Sequence, residues 1–172
     1  MVKQMIQDIF AISEAGPRAD DILSRLGSRI LGCEKFEWGE IVTQSQANPR
    51  SFVFASGLGN AGRGALEALG NERTLRVDTK SSLQEFGLAA DPRLTSLLVL
   101  RLEAPGVDSA AVVLGHSRAW SFAGAPLSRI RTIAGVALRM LTSGSQAHSS
   151  TNEIGDLRAE VERLRKHALS VE

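Results

Sequence analysis

Apolar residues recur at helical spacing near the start of the chain and again beyond its middle. The first stripe consists of Val2, Met5, Ile6, Ile9 and Phe10. After Gly16-Pro17 a second stripe consists of Ile22, Leu23, Leu26, Ile30 and Leu31. A third stripe, beyond Pro126, consists of Leu127, Ile130, Ile133, Ala134, Ala137, Leu138 and Leu141. This spacing predicts two N-terminal helices, or one helix bent at Pro17, and a long helix that starts at Pro126.

The segments between these helices have the patterns of strands. Apolar and polar residues alternate in "KFEWGEIV" (35–42), and "SFVFAS" (51–56) follows after a loop, which predicts an antiparallel pair. Two further apolar runs, "SLLVLRLE" (96–103) and "AAVVLGHS" (110–117), are separated by only six residues. Because a parallel return requires a crossover of about a dozen residues or more, these two runs are predicted to form an antiparallel hairpin.

Gly57, Gly59 and Gly62 form the pattern G-x-G-x-x-G, which also occurs in dinucleotide-binding βαβ units. Residues 52–55 before the glycines predict a strand, and residues 73–78 after them predict a second strand that ends in an acid, as such a unit requires. A dinucleotide fold needs further βαβ repeats, however, and the chain continues with a polar stretch, predicted to hold one short helical turn at most, and with the hairpin. We therefore interpret the glycines as a tight turn between a strand and a short helix, with phosphate binding as the alternative.

Composition restricts the class of protein. The chain has 172 residues, of which 43% are hydrophobic, which is enough for one domain and a terminal extension. A net charge of +1 gives no reason to expect nucleic-acid binding. No apolar run approaches the roughly 20 residues of a membrane span. The start of the chain is too polar for a signal peptide, so we expect a cytoplasmic protein without membrane contact.

Residues suited to catalysis or metal binding are few. Cys33 is the sole cysteine, and its place at the end of an apolar helix favours a buried structural thiol over a reactive one. His116, His148 and His167 lie far apart in the sequence, with no carboxylate or cysteine at ligand spacing. Nucleophile-elbow, phosphate-loop and zinc-helix motifs are missing as well. The sequence therefore predicts neither an enzyme nor a metal site.

The end of the chain has the pattern of a coiled coil. Residues 143–150 are rich in serine and predict a linker, and residues 151–172 predict a helix. The apolar positions of this helix alternate at steps of three and four, and they are Ile154, Leu157, Val161, Leu164, Ala168 and Val171. In a parallel pair Glu153 faces Arg158 of the second chain, and Glu160 faces Arg165. This pattern favours a parallel homodimer, and a helix folded back on its own domain is the alternative.

The order of the predicted elements resembles that of a GAF domain over about residues 5–142. The family's last strands and closing helix are similar to "AAVVLGHSRAWSFAGAPLSRIRTIAGVALRML", with Phe122 at the aromatic position before the helix. Its glycine turn, short helix and next strand are similar to "AGRGALEALGNERTLRVDTKSS", and its Asp-Pro-Arg loop to "AADPRLTSLLVLRL". The resemblance implies an α/β (α+β) fold with an antiparallel sheet flanked by helices, in a domain of residues 1–142.

The same resemblance implies a sensory or regulatory role. By family analogy a small-molecule pocket lies between the sheet and the loops at about residues 57–95, with no particular ligand or cofactor indicated. The candidate ligand-binding residues are Trp38, Phe54, Arg63, Asp78 and Arg93. A signal would pass through the terminal helices of a homodimer to an output domain or a partner signalling protein. The alternative is a dimerisation scaffold whose cavity is closed by side chains.

Specialised members of the family depend on residues that this chain lacks. Free methionine sulfoxide reductases of this fold use several cysteines, whereas this chain has one. Bilin-binding members attach their chromophore to a cysteine in the later part of the domain, often beside a histidine, and His116 has no cysteine beside it. The family's cyclic-nucleotide signature has no convincing match. The resemblance therefore implies a sensor without covalent chromophore and without enzymatic activity.

Overall fold

The computed structural model describes residues 2–15, 18–45, 49–89 and 91–143. Residues up to Met140 form one compact unit, which is described below, and a second unit comprises Leu141–Glu172. The predicted linker at 143–150, apart from its first residue, and the predicted coiled-coil helix at 151–172 lie outside the described residues. The elements are α1 (Val2–Ser13), α2 (Ala19–Leu31), β1 (Trp38–Gln44), β2 (Arg50–Val53), α3 (Asn60–Leu69), β3 (Thr74–Val77), α4 (Lys80–Glu85), β4 (Ser96–Leu102), β5 (Ser109–His116) and α5 (residues 127–143).

The strands form a five-stranded sheet in the order β2-β1-β5-β4-β3, and every neighbouring pair is antiparallel. The predicted hairpin is confirmed, because β4 and β5 pair along their whole length, for example at Val99 and Val113. The strands on either side of the glycine-rich segment, β2 and β3, lie at opposite edges of the sheet. A parallel βαβ unit is therefore excluded at these glycines.

Alternation along the strands divides the sheet into two faces. The first face carries Trp38, Val42, Val99 and Val113, and it packs against α3 and α4. The second face carries Ile41 and Val112, which are also fully or almost fully buried. On that face α5 reaches the sheet edge, where the Arg131 guanidinium donates a hydrogen bond to Thr74. Both faces are covered, as the strongly apolar strands require.

The N-terminal helices cover the domain with only part of their apolar stripes. In α2, Ile22, Leu26 and Ile30 are buried, and Asp20 and Asp21 lie in the first turn, where carboxylates oppose the positive end of the helix dipole. By contrast, Phe10 of α1 is 64% exposed and Leu31 of α2 is 56% exposed. In α1 the buried side chains are Asp8 and Ile12, neither of which belongs to the predicted stripe, so the stripe is displaced from the side of α1 that packs within the described unit. None of the described helices has the length and apolar character that crossing a membrane requires.

Candidate ligand-binding site

A buried carboxylate lies beneath the glycine-rich segment that precedes α3. Glu40 is 2% exposed, and its Oε2 accepts hydrogen bonds from the Ser51 hydroxyl (2.9 Å) and the Leu58 N–H (3.4 Å). A methyl group on Gly62 would overlap Oε1 of Glu40, and Gly59 has a φ of 58° that favours glycine. The glycines therefore enclose a carboxylate of the chain itself at the start of a helix, where negative charge is favourable.

An exposed arginine lies over a buried tryptophan at one end of the sheet. The guanidinium carbon of Arg93 is 5.4 Å from the centroid of the Trp38 ring, and Trp38 is 4% exposed. Asp91 holds this guanidinium in place, because its oxygens accept hydrogen bonds from Nε (3.2 Å) and Nη2 (3.0 Å) of Arg93. These bonds also lower the pKa of Asp91. Arg93 thus presents a fixed cation that covers the buried Trp38 ring, and an exposed guanidinium of this kind suits an anionic ligand.

Asp78 fixes the loop that follows β5. Its backbone carbonyl accepts a hydrogen bond from the Trp120 N–H (3.0 Å), and its Oδ2 accepts one from Arg76 Nε (3.0 Å). The other carboxylate oxygen is buried and has no hydrogen-bond partner among the described residues. Trp120 is 60% exposed and has a φ of 59°, a backbone conformation that is unfavourable for a tryptophan. The loop at 117–125 therefore holds a large aromatic side chain in solvent at some cost in backbone energy.

The structure brings together two of the five candidate ligand-binding residues that were predicted from the sequence, Trp38 and Arg93. Phe54 lies on the second face, where its ring fills the space left by Gly39 and Gly27 and meets Phe36 edge-on at 5.7 Å. Arg63 is an exposed residue of α3, and Asp78 serves the loop after β5. The part of each residue in ligand binding stays a prediction.

The space between α3, α4 and the first face of the sheet is filled by apolar side chains. Those buried there include Leu58, Leu66, Leu69, Leu83, Leu88, Leu94 and Leu97. Leu88 and Leu94 come from the polar stretch after β3, which therefore contributes to the core as well as to the surface. A ligand that entered between α3 and the sheet would have to displace some of these side chains, at the cost of their buried contacts.

Comparisons with known proteins identify the fold. No protein-family model and no curated protein matches the sequence. The structure resembles the GAF domain of a sensor histidine kinase from Pseudomonas syringae pv. tomato, with a TM-score of 0.60 and 11% identity over 88% of this chain and 92% of that one. It also resembles the GAF domain of an Acinetobacter phosphoenolpyruvate-protein phosphotransferase, with a TM-score of 0.58 and 13% identity over 86% and 94%.

The chain has a GAF-like fold. This finding confirms the expected antiparallel sheet flanked by helices. A third structure with the same architecture is fRMsr of Staphylococcus aureus, with a TM-score of 0.52 and 15% identity over 81% of this chain and 94% of that one. At sequence identities of 11–15%, these structural likenesses show a common fold alone. The chemistry of each protein depends on its own residues.

A second buried carboxylate joins the helices of this GAF-like domain. Asp8 of α1 is fully buried, and its Oδ2 accepts a hydrogen bond of 2.7 Å from Arg129 Nε on α5. Its Oδ1 is 3.7 Å from Arg29 Nη1 on α2, which is close enough for an ion pair and too long for a hydrogen bond. The hydrogen bond to Asp8 raises the pKa of Arg129. One carboxylate thus links three helices of the domain.

The Cys33 thiol lies close to this ion-pair cluster. Burial raises its pKa, and the positive charge of Arg129 opposes that shift only in part. The thiol form therefore prevails at neutral pH, which makes Cys33 a weak nucleophile. In the part of the chain that the structure describes, no three His, Cys, Asp or Glu side chains are grouped so that they could hold a metal ion. His148 and His167 lie outside that part.

Sequence reasoning missed both buried carboxylates of the GAF-like domain. Glu40 stands between Trp38 and Val42 at an inward position of β1, whereas Asp8 lies outside the predicted stripe of α1, on the buried side of that helix with Ile12. An acid at a core position was a signal for Glu40 alone, because a buried charge requires partners. The partners themselves come from distant parts of the chain, Leu58 for Glu40 and Arg129 for Asp8, and no local spacing indicates them.

Proposed function

We propose that this chain is a regulatory sensor module in which a GAF-like domain responds to a small molecule. The observation that supports this proposal is the likeness of its fold to GAF domains of a sensor histidine kinase and of a phosphotransferase, over 86–88% of the chain. In this proposal the signal passes through the terminal helices to an output domain or a partner signalling protein, and the chain works as a parallel homodimer in the cytoplasm.

The ligand is proposed to contact Arg93, with the buried Trp38 ring supporting its guanidinium from beneath. Arg93 is 73% exposed in its side chain, yet the bidentate pair with Asp91 limits its motion. A fixed guanidinium loses less conformational freedom on binding than a free one. Arg63 and Asp78 remain candidates for contacts at the rim, and Phe54, on the other face of the sheet, would act by supporting β1 from behind.

The test is native mass spectrometry of the protein isolated from its own host. A sensor should carry an additional mass of one small molecule per chain under at least one growth condition. Arg93→Gln should lower the bound fraction at least severalfold, because it removes the cation over the indole. Arg118→Gln is the matched control, since Arg118 is another exposed arginine at the same end of the sheet, whereas Arg93 is the arginine that lies over the Trp38 ring.

The rival function is a ligand-free dimerisation scaffold with a closed cavity. The dense apolar packing between α3 and the first face of the sheet favours this alternative. Absence of any bound mass under several growth conditions would support the scaffold over the sensor. An enzymatic role of the kind suggested by the likeness to fRMsr would have to use the single thiol of Cys33, whose reactivity is tested separately below.

A further inference from the structure

A cavity of about 630 Å³ lies where α5 meets the ends of β3 and β4. It is at the opposite end of β4 from Trp38, because Leu97 pairs with Gly115 beside Trp38, whereas Arg101 and Leu102 line the cavity. A volume of this size is typical of sites for small molecules. The cavity belongs to the compact unit that ends at Met140.

Positive charge is concentrated around this cavity. Its lining includes four arginines, Arg73, Arg101, Arg131 and Arg139, and one acidic residue, Glu103. The chain as a whole has a net charge of only +1, so this concentration is a local feature. A cleft lined by charges of one sign attracts ligands of the opposite sign.

Two of the arginines are held in place by neutral acceptors. The Arg101 side chain donates hydrogen bonds to the carbonyl oxygens of Gly70 and Glu72, the latter at 3.0 Å. Arg131 Nη2 donates to the Thr74 hydroxyl (2.9 Å) and to the carbonyl oxygen of Arg73 (3.3 Å). These bonds fix the guanidinium groups and leave their charges in place.

The same arginines have donors to spare. Among the described residues, no carboxylate lies within ion-pair distance of Arg73, Arg101 or Arg131. An anion bound in the cavity would supply the missing charge, and guanidinium groups match carboxylates and phosphates in shape.

We propose that this cavity binds a small organic anion that carries a phosphate or several carboxylates. Several arginines favour a multiply charged group, and Leu102 and Val136 offer apolar surface to a carbon skeleton. The Asn71 amide, also in the lining, can add a neutral hydrogen bond. This site is separate from the Trp38–Arg93 pair and goes beyond the function proposed above.

The experiment is calorimetric titration of the purified full chain with pyrophosphate and with citrate, against sodium chloride at equal ionic strength. We expect saturable binding of at least one of the two anions. Arg73→Gln should weaken it about tenfold, since it removes one charge-assisted contact. Arg73 is exposed and its side chain has no bond to a described residue, so the variant should fold normally, which its thermal melting curve checks. Arg118→Gln is again the control, because Arg118 follows β5 at the far end of the sheet.

Binding that Arg73→Gln weakens and Arg118→Gln leaves unchanged supports the proposal. A stronger response to pyrophosphate then identifies a phosphate-bearing ligand, and a stronger response to citrate a polycarboxylate. The proposal is overturned if neither anion binds beyond the sodium chloride control, or if both substitutions weaken binding equally. Either result leaves the Trp38–Arg93 proposal untouched, because that test follows Arg93 at the other end of β4 and the mass bound to protein from its own host.

Discussion

Single side chains explain the most conspicuous motif of the sequence. Gly62 is required because the carboxylate of Glu40 occupies the space where a side chain would lie. Glu40 in turn is tolerable in the core because Ser51 and Leu58 donate hydrogen bonds to one of its oxygens. The glycine and the acid are therefore energetically coupled, although 22 positions separate them in the sequence.

Gly62→Ala should lower the free energy of unfolding by about 2 kcal/mol, because the new methyl group forces Glu40 away from its hydrogen bonds. Gly135→Ala is the matched control in α5, since a Cβ there would meet nothing within 4 Å. That change should instead stabilise by about 0.5–1 kcal/mol through helix propensity. Urea denaturation of both variants measures the two effects.

A double-mutant cycle with Glu40→Ala tests the cause. If the carboxylate is responsible, Gly62→Ala should cost clearly less in the Glu40→Ala background than in the wild-type chain. An equal cost in both backgrounds would assign the requirement for glycine to the backbone of α3 instead.

Cys33 should react slowly with thiol reagents at pH 7, because burial raises the pKa of its thiol and keeps it protonated. The rate should rise as the pH increases through that raised pKa. The chain has no other cysteine, so labelling reports on this site alone. Protein unfolded in urea is the control, and its thiol should react faster. Equal labelling rates for the folded and unfolded chain at pH 7 would contradict this prediction and would support a redox role for Cys33.

At the scale of helices and strands, the sequence predicted where each element lies along the chain better than it predicted which elements pack side by side. The six-residue connection required an antiparallel β4–β5 hairpin, and the stripes of α1 and α2 gave both helices. The central place of β5, between β1 and β4, depends on pairing across long stretches of chain that no local pattern records. The same limit applies to the candidate site. The sequence analysis named Trp38 and Arg93 as individual candidates, but their contact could not be predicted without knowing the order of the strands in the sheet.

The structure differs from the expectation in the extent of α4 and in the burial of α1 and α2. The stretch after β3 was predicted to hold one helical turn at most, but α4 spans Lys80–Glu85, since the Thr79 hydroxyl accepts a hydrogen bond from the Ser82 N–H and caps the helix. The stripes of α1 and α2 predicted buried positions, yet Phe10 and Leu31 are exposed. Periodicity identifies an apolar side of a helix without saying how much of that side finds a partner.

Glu37 connects the segment before β1 to the end of β5 and should make the domain weakly sensitive to acid. Hydrogen bonds from the Ser117 hydroxyl and backbone N–H lower the pKa of Glu37. The stabilisation is therefore present above the usual glutamate value of about 4.3 and is lost as the pH falls through the lowered pKa. Between pH 5 and 3, the wild type should lose slightly more thermal stability than Glu37→Gln. Parallel melting curves would contradict this expectation.

At the scale of the whole molecule, the two proposed ligand sites lie in separate places in the described domain. The Trp38–Arg93 pair lies at one end of β4 and the arginine-lined cavity at the other. The sheet between them is covered on both faces and has buried strands. Occupancy of each place can therefore be measured independently, with Arg93 and Arg73 as the respective reporters.

The proposed dimer is tested in the tail. Leu157→Ala together with Leu164→Ala should shift the protein from dimer to monomer in light scattering, because both residues lie on the predicted seam. Glu162→Ala together with Arg163→Ala is the control, since neither position belongs to the predicted seam and the pair leaves the net charge unchanged. A doubled mass that survives the leucine substitutions would remove the tail from the interface.

The enclosed Glu40 carboxylate has a consequence for how glycine-rich fingerprints are interpreted. At the start of α3, the Glu40 carboxylate of the neighbouring strand β1 lies where a nucleotide-binding protein would bind the phosphate of its ligand. A glycine pattern of this kind thus indicates an anion close to a helix terminus, and the anion can be internal. A glycine pattern should therefore be considered together with any acidic residue at an inward-facing strand position. Where such an acid is present, the anion at the helix start can be a side chain of the protein itself, and where it is absent, the site is free for a phosphate.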